Sequence, residues 1–444
     1  MHIVNPNAFA SPTPREGPGV APPPPGEVGL KLEAWIAAGL IVPLGWCGWI
    51  STVDAQPPGP DSLAAPAVED AGGRLEGLTE QVQTIQADTD RMKRFKFSGY
   101  VQVRWETAEN SGDTVKVSGT TLTPANVERF YIRRARLKLT YDASPLSQAV
   151  VYFDGGSDRT IRLLEGYLAL LDPWTSDHRH QFWAGQFNVP FGYEIERSSS
   201  LRELPERSRA ENVLFPGERD RGLKLVTPWT DRLETVVAVI NGGGVNSLDF
   251  PTTDPTGGKD VLGRARWSQG VFDVALSYYD GLGLVPLTGD DVETDRTRFG
   301  ADAQLYYELP TLGGGSLKGE FYSGTNVNAD SVLALTVSSS VGRLLRPGAD
   351  PAHFDTDFIG GYAMWVQNLG EKLQFAARAE LFDPNTDLDH DQFERVSLAV
   401  HAFYDGFTRI TVSYDVPRTD VAATGGGYDD APDNLWTVQF QHRF

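Results

Sequence analysis

From Lys96 to the C-terminus, apolar and polar side chains alternate with a period of two, which restricts this part of the chain to β-strands with two unlike faces. Between Lys96 and Glu106, the residues Phe97, Val101, Val103 and Trp105 face one way, while Ser98, Gln102, Arg104 and Glu106 face the other. Between Glu128 and Tyr141, the apolar set Tyr131, Ala135, Leu137, Leu139 and Tyr141 opposes Arg134, Arg136, Lys138 and Thr140. Phe299, Ala301, Ala303, Leu305 and Tyr307 likewise oppose Arg298, Asp302, Gln304 and Glu308. About sixteen such segments can be placed, near 95–107, 128–141, 147–155, 161–172, 179–188, 219–228, 231–241, 259–269, 270–280, 295–309, 315–323, 355–367, 371–382, 392–404, 406–416 and 433–444.

The connections between these segments alternate in length. Long ones at 108–127, 189–218, 242–258, 281–294, 324–354 and 417–432 are separated by tight turns such as Pro228–Thr230, Gln269–Gly270 and Asp405–Gly406. An even strand count with long loops on one side and short turns on the other is the arrangement of a bacterial outer-membrane barrel. The last segment, Leu435–Phe444, carries Trp436, Val438, Phe440 and Phe444 on one face, and its terminal aromatic looks like the signature read by the outer-membrane insertion machinery. The expected fold is all-β: a transmembrane antiparallel barrel over 95–444, in the outer membrane of a Gram-negative bacterium.

Composition narrows the partners. A formal charge of −20 argues against nucleic acid, because phosphate backbones need a basic face. A single cysteine, Cys47, leaves no intrachain disulfide framework and no cysteine zinc cluster. Seven histidines are scattered without a zinc-binding helix motif, and neither a phosphate-binding loop nor a nucleophile elbow is present. The expectation is a non-enzyme without metal or cofactor.

The N-terminal part divides into 1–55, an extension plus signal segment, and 56–94, a linker and short coil. Ala34–Ile50 is apolar, follows Lys31 and precedes Val53-Asp54-Ala55, the layout of a secretory signal; a membrane anchor is the alternative. Gln56–Ala71 reads as a Pro/Ala linker. Leu75, Leu78, Val82, Ile85, Thr89 and Met92 then alternate spacings of three and four, which fits either a short N-terminal coiled-coil helix in an oligomer or a single amphipathic helix.

One stretch, Arg179–Gly222, departs from the strand pattern. It passes through Gly185-Gln186-Phe187, Pro190-Phe191-Gly192, Glu194, Ser198-Ser199 and Glu206-Arg207, then returns to strand at Arg219-Asp220 with Gly222. Together with Phe97-Ser98-Gly99-Tyr100 and the arginine-rich strand Phe130–Leu137, this resembles the phosphate-selective porin O and P family, best between about 95 and 240. The resemblance implies a sixteen-stranded homotrimeric porin whose third long loop enters the lumen, and passage of phosphate along a ladder of arginines assisted by lysines. With only nine lysines in the chain, the expectation is passive diffusion of small anions, such as phosphate, without firm phosphate selectivity.

If the polar faces line the lumen, Arg104, Arg134, Arg136, Lys138, Arg221, Arg264, Arg266, Arg298, Arg378, Arg395 and Arg409 are the pore-lining candidates, because a cation on the lipid face costs about 2–4 kcal/mol at the midplane. The alternative is that they pair with Glu106, Asp302, Glu308 and Glu380 and hold the barrel's shape, giving a general small-solute or sugar pore. In the constriction loop, Arg197, Arg202, Arg207 and Arg209 are nearly balanced by Glu194, Glu196, Glu203, Glu206 and Glu211, so the loop is expected to narrow the pore rather than to act as a bare cationic filter. Acidic groups such as Asp290-Asp291 and Asp429-Asp430 fall in outer loops, where they suit contact with lipopolysaccharide. The spacing of Asp383, Asn385, Asp387 and Glu394 is EF-hand-like, but Leu388 stands where glycine is needed, and a solvated acidic loop is expected instead. A secreted soluble β-rich enzyme or lectin is the reading from a different class.

Overall fold

The computed structural model describes residues 66–109, 116–117, 120–121, 128–156, 160–245, 256–285, 292–327, 355–422, 428–430 and 433–444. The segment read as a secretory signal, with Cys47, and the acids Asp290 and Asp291 lie outside them.

Helix α1 runs Pro66–Lys93, so the stretch read as linker gives way to helix at Pro66. Leu78, Val82, Ile85 and Met92 are exposed along it, leaving its apolar stripe uncovered.

The second unit is a barrel wall of sixteen strands. They are β1 Phe95–Ala108, β2 Arg129–Ser144, β3 Ser147–Asp154, β4 Arg162–Leu171, β5 Gln181–Asn188, β6 Arg219–Pro228, β7 Leu233–Ile240 and β8 Asp260–Gln269. The second half comprises β9 Phe272–Val285, β10 Val292–Leu309, β11 Gly313–Val327, β12 Asp355–Leu369, β13 Leu373–Asp383, β14 Phe393–Phe403, β15 Thr408–Ala422 and β16 Leu435–Arg443. Each strand pairs antiparallel with the next, and β1 closes on β16 in the register Tyr100↔Arg443 to Ala108↔Leu435. Phe444 completes the seam: its N–H donates to the Gly99 carbonyl at 3.0 Å, and Gly99 N–H donates to the Phe444 carbonyl at 2.9 Å. Among the described residues, closure leaves the barrel wall without an unpaired edge, a requirement in hydrocarbon, where each unsatisfied backbone group costs several kcal/mol.

Several strands run further than the sequence pattern indicates. β9 reaches Val285 and pairs with β10 from Val292, and β15 extends to Ala422. Their glycine and polar residues break the apolar alternation without interrupting backbone pairing, so these hairpins stand beyond the apolar band.

The burial pattern is inverted relative to a water-soluble domain. Leu137, Leu168, Leu223, Leu225, Val237, Leu276 and Phe299 are exposed, while Gln102, Arg104, Arg134, Arg264, Arg378 and Gln439 are buried. Apolar residues therefore face outward and polar ones inward, as lipid outside and a polar lumen demand. Trp174, Trp229, Tyr404 and Phe407 are exposed on the short turns, where amphipathic rings suit a membrane interface.

One face assignment is corrected. Between β1 and β2 the register shifts, with Gln102 opposite Arg134 but Val103 opposite Ile132, so Arg133 is an extra residue in the ladder. This β-bulge turns Phe130 and Ile132 outward and puts Tyr131 opposite the lumen residue Arg104.

Candidate functional site

The connection from β5 to β6, residues 189–218, folds into the barrel. Its entry is a tight turn at Gly192, whose φ of +63° suits glycine; a Cβ there would lie 2.3 Å from Glu320 Oε1. Gly192 N–H donates to Ser277 Oγ at 3.1 Å, and the N–H groups of Tyr193 and Glu194 donate to the Glu320 carboxylate at 2.5 and 3.1 Å. Phe187, Phe191, Ile195 and Leu214 are fully buried against Tyr322, and each contributes about 1.5–3 kcal/mol by burial. A short helix, α2 Arg209–Leu214, ends the loop; Ser208 caps it by accepting from Glu211 N–H at 3.4 Å.

The loop's charges are spent on the wall. Glu206 accepts from Arg104 at 2.6 Å, Arg133 at 2.9 Å and Arg134 at 3.3 Å. Glu194 pairs with Arg378 at 2.9 Å, Glu196 with Arg264 at 2.9 Å, and Arg378 also holds Glu380 at 3.0 Å. Ser199 contacts Tyr100 and accepts from Arg136 at 3.0 Å, while Arg395 donates to the Arg207 carbonyl at 2.9 Å. Arg207 is enclosed by Glu211 at 3.0 Å, by Glu218 and by the carbonyls of Glu194 and Ile195. With Gln441 donating to the Ser200 carbonyl at 2.9 Å, these bonds distribute the loop over β1, β2, β8, β9, β11, β13, β14 and β16.

Of the expected lining residues, Arg104, Arg134, Arg136, Lys138, Arg264, Arg266, Arg298, Arg378, Arg395 and Arg409 all lie on the inward face, several of them under the loop rather than open to the lumen. Arg104, Arg134, Arg264 and Arg378 have side-chain exposures of 1%, 5%, 4% and 1%, whereas Lys138 keeps 34% and Arg266 32%. Arg266 pairs with Asp273 at 2.9 Å, Arg409 donates to Gln441 at 3.3 Å, and Arg298 donates to Asn326 at 3.1 Å while lying 4.5 Å over the Phe215 ring. Arg221 is corrected: it shares the parity of exposed Leu223 and Leu225, and the lumen position on β6 belongs to Lys224. In the loop, Arg197 pairs with Glu203 at 2.6 Å, Arg202 is buried, and Arg209 is exposed with its guanidinium 5.4 Å over Phe393.

Sequence reasoning missed Lys224, Lys318 and Glu320. Lys318 holds Glu203 at 2.5 Å and donates to the Tyr193 hydroxyl at 2.9 Å. The signal for Lys224 was present, since it sits between two leucines in a strand of period two.

Burial alone would raise the Glu203 carboxyl, but Arg197 and Lys318 outweigh it and hold it at about 2. A folded-state pKa below the unfolded value of about 4.3 means that the contribution to loop attachment is complete above the unfolded value and is lost as pH falls through the folded one. Single-channel conductance should therefore rise between about pH 4 and 2 as this tether protonates. A conductance–pH series in planar bilayers checks it; no rise below about pH 4 would contradict the assignment.

These features define a class: a closed transmembrane barrel with an inward loop held across its lumen. No family model matches the chain, and no curated protein matches it. Solved structures do. The anion-selective porin from Comamonas acidovorans aligns over 79% of this chain and 99% of its own at 13% identity with a TM-score of 0.51. The outer-membrane channel DcaP of Acinetobacter baumannii aligns over 79% and 97% at 12% identity with a TM-score of 0.51. Salmonella typhi OmpF, in complex with daunomycin, aligns over 79% and 97% at 11% identity with a TM-score of 0.50. At such identities the likeness is one of fold: this chain has the outer-membrane porin fold. With its apolar outer belt, that fold places it in the outer membrane of a Gram-negative bacterium.

Proposed function

We propose that the chain forms a passive diffusion pore for small anions, phosphate among them, narrowed by the 189–218 loop and assembled as a homotrimer. The observation that carries the anion reading is a set of lumen cations, Arg202, Lys224, Arg298 and Arg409, that have no carboxylate within ion-pair distance among the described residues. Cations without a carboxylate partner, one on the loop and three on the wall, make their own surroundings positive and raise the local anion concentration there. The fold shared with an anion-selective porin and the resemblance of the loop motif to the phosphate-selective porin O and P family support the same reading. Outer-loop acids would meet lipopolysaccharide, and the strand ending at Phe444 would engage the insertion machinery.

Extensive pairing of the wall arginines favours a second reading, a general small-solute or sugar pore. In planar bilayers under a potassium chloride gradient, the reversal potential should carry the sign of anion selectivity; a cation-selective sign refutes the anion reading. Low millimolar phosphate should reduce chloride conductance, and its absence of effect would identify the general pore.

A further inference from the structure

The lumen cations differ in how they are held. At four places around the wall the loop occupies the arginines: Arg104, Arg134, Arg264 and Arg378 each have a carboxylate within 3.3 Å and side-chain exposures of 5% or less. Along β2 to β6, Lys138 and Lys224 also face the lumen. Lys224 has a different kind of seat. Its ammonium lies 3.8 Å from the centroid of Trp183 and 4.7 Å from that of Phe187, and Trp183 is in turn stacked on Tyr167 at 4.2 Å. Among the described residues it makes no hydrogen bond and no ion pair. Of the carboxylates around it, Glu165 is engaged by Lys138 at 3.5 Å and Arg219 at 3.6 Å and Glu196 by Arg264, while Glu234 lies beyond ion-pair distance of it. Although the side chain is largely covered, the ammonium nitrogen is not among the enclosed polar atoms lacking partners.

A cation over ring faces is fixed in place but keeps its three N–H donors unspent. A carboxylate partner would have cancelled the charge and occupied the donors. The rings do neither, so water or a passing anion must complete the shell. A single ammonium also lacks the bidentate fork that makes arginine–oxyanion pairs slow to part, which suits conduction, where binding must be weak enough for release.

We infer that Lys224, seated on Trp183 and Phe187, is the specificity-determining contact for permeating anions, while the arginines paired with loop carboxylates, Arg104, Arg134, Arg264 and Arg378, serve mainly to hold the loop. This rests on the diffusion-pore reading above. The test compares reversal potentials in a potassium chloride gradient for the wild type, Lys224→Gln, Lys224→Arg and Arg134→Gln, each first checked for folding by its shift between unheated and boiled samples on a denaturing gel. Lys224→Gln should lower the anion-to-cation permeability ratio about tenfold, because one unit charge acting at about 6 Å through water favours the anion about threefold and disfavours the cation about threefold. Lys224→Arg should keep the ratio within a factor of two, and Arg134→Gln should lower it less than Lys224→Gln does, because the Arg134 guanidinium is covered by the loop, with 5% side-chain exposure, and is held to Glu206. An unchanged ratio in Lys224→Gln, or a larger loss in Arg134→Gln, overturns the inference while leaving the pore reading intact. A cation-selective wild type would instead refute the pore reading itself. Where Lys224→Gln does not fold, Trp183→Leu takes its place, with a smaller fall in the same direction expected and an unchanged ratio counting against the seat.

Discussion

Replacing Glu206 by Gln should loosen the constriction loop and raise single-channel conductance without unfolding the barrel. This carboxylate is the meeting point of three guanidiniums, those of Arg104, Arg133 and Arg134, which come from two neighbouring strands. Without it, three cations face one another, with Glu106 left as the acid beside Arg104 at 3.2 Å. Removing one partner of a buried ion pair costs about 3–5 kcal/mol. Glu206 keeps 31% side-chain exposure, so water screens part of the effect and about 2 kcal/mol is the expected loss of loop attachment. The wall is held by interstrand hydrogen bonds that do not involve Glu206, so the gel shift on heating should persist. Limited trypsin digestion should then cut at Arg197, Arg202 or Arg207, which the wild-type packing covers. Conductance and trypsin resistance equal to the wild type would show that Glu206 is not the clamp.

The wall was legible in the sequence because its two environments are so different. Lipid on one side and a polar lumen on the other impose alternation on nearly every strand, and loop lengths supply the direction. The extra residue at Arg133 was not legible, because a β-bulge adds one position to a ladder without a composition signature and reverses the faces beyond it. That is why Tyr131 was assigned to the wrong side. At Arg221 the alternation is too weak to choose a face until Leu223 and Leu225 are seen outside. The state of each arginine was also hidden, for another reason. Arg378 meets Glu194 and Arg104 meets Glu206 across 184 and 102 residues of sequence, so pairing depends on how the loop crosses the lumen and not on local pattern. Counting the loop's charges did predict a balanced loop, but not that its acids would neutralise the wall.

The second large effect concerns two glycines of the motif that flanks the loop. Gly222 on β6 pairs with Gly185 on β5, and neither position has room for a side chain. A Cβ on Gly222 would lie 2.0 Å from the Val239 carbonyl oxygen and 2.8 Å from the Ile240 Cα; one on Gly185, whose φ is +136°, would lie 2.2 Å from the Gly166 carbonyl oxygen. These neighbours are backbone, so relief requires the strands themselves to separate, across β4 to β7. In a membrane, separated strands leave N–H and C=O groups without partners at several kcal/mol each, so the cost is not confined to one site. Gly222→Val should therefore reduce the yield of heat-modifiable barrel on refolding into detergent by more than about tenfold, and Gly222→Ala by a smaller factor. The contrast is Gly406, in the turn before β15, where a Cβ meets nothing within 4 Å and Gly406→Ala should refold like the wild type. If Gly222→Val refolded with the wild-type yield, the close backbone approach at the root of the loop would be wrong, and the strand that carries Lys224 toward the lumen would have to be placed differently.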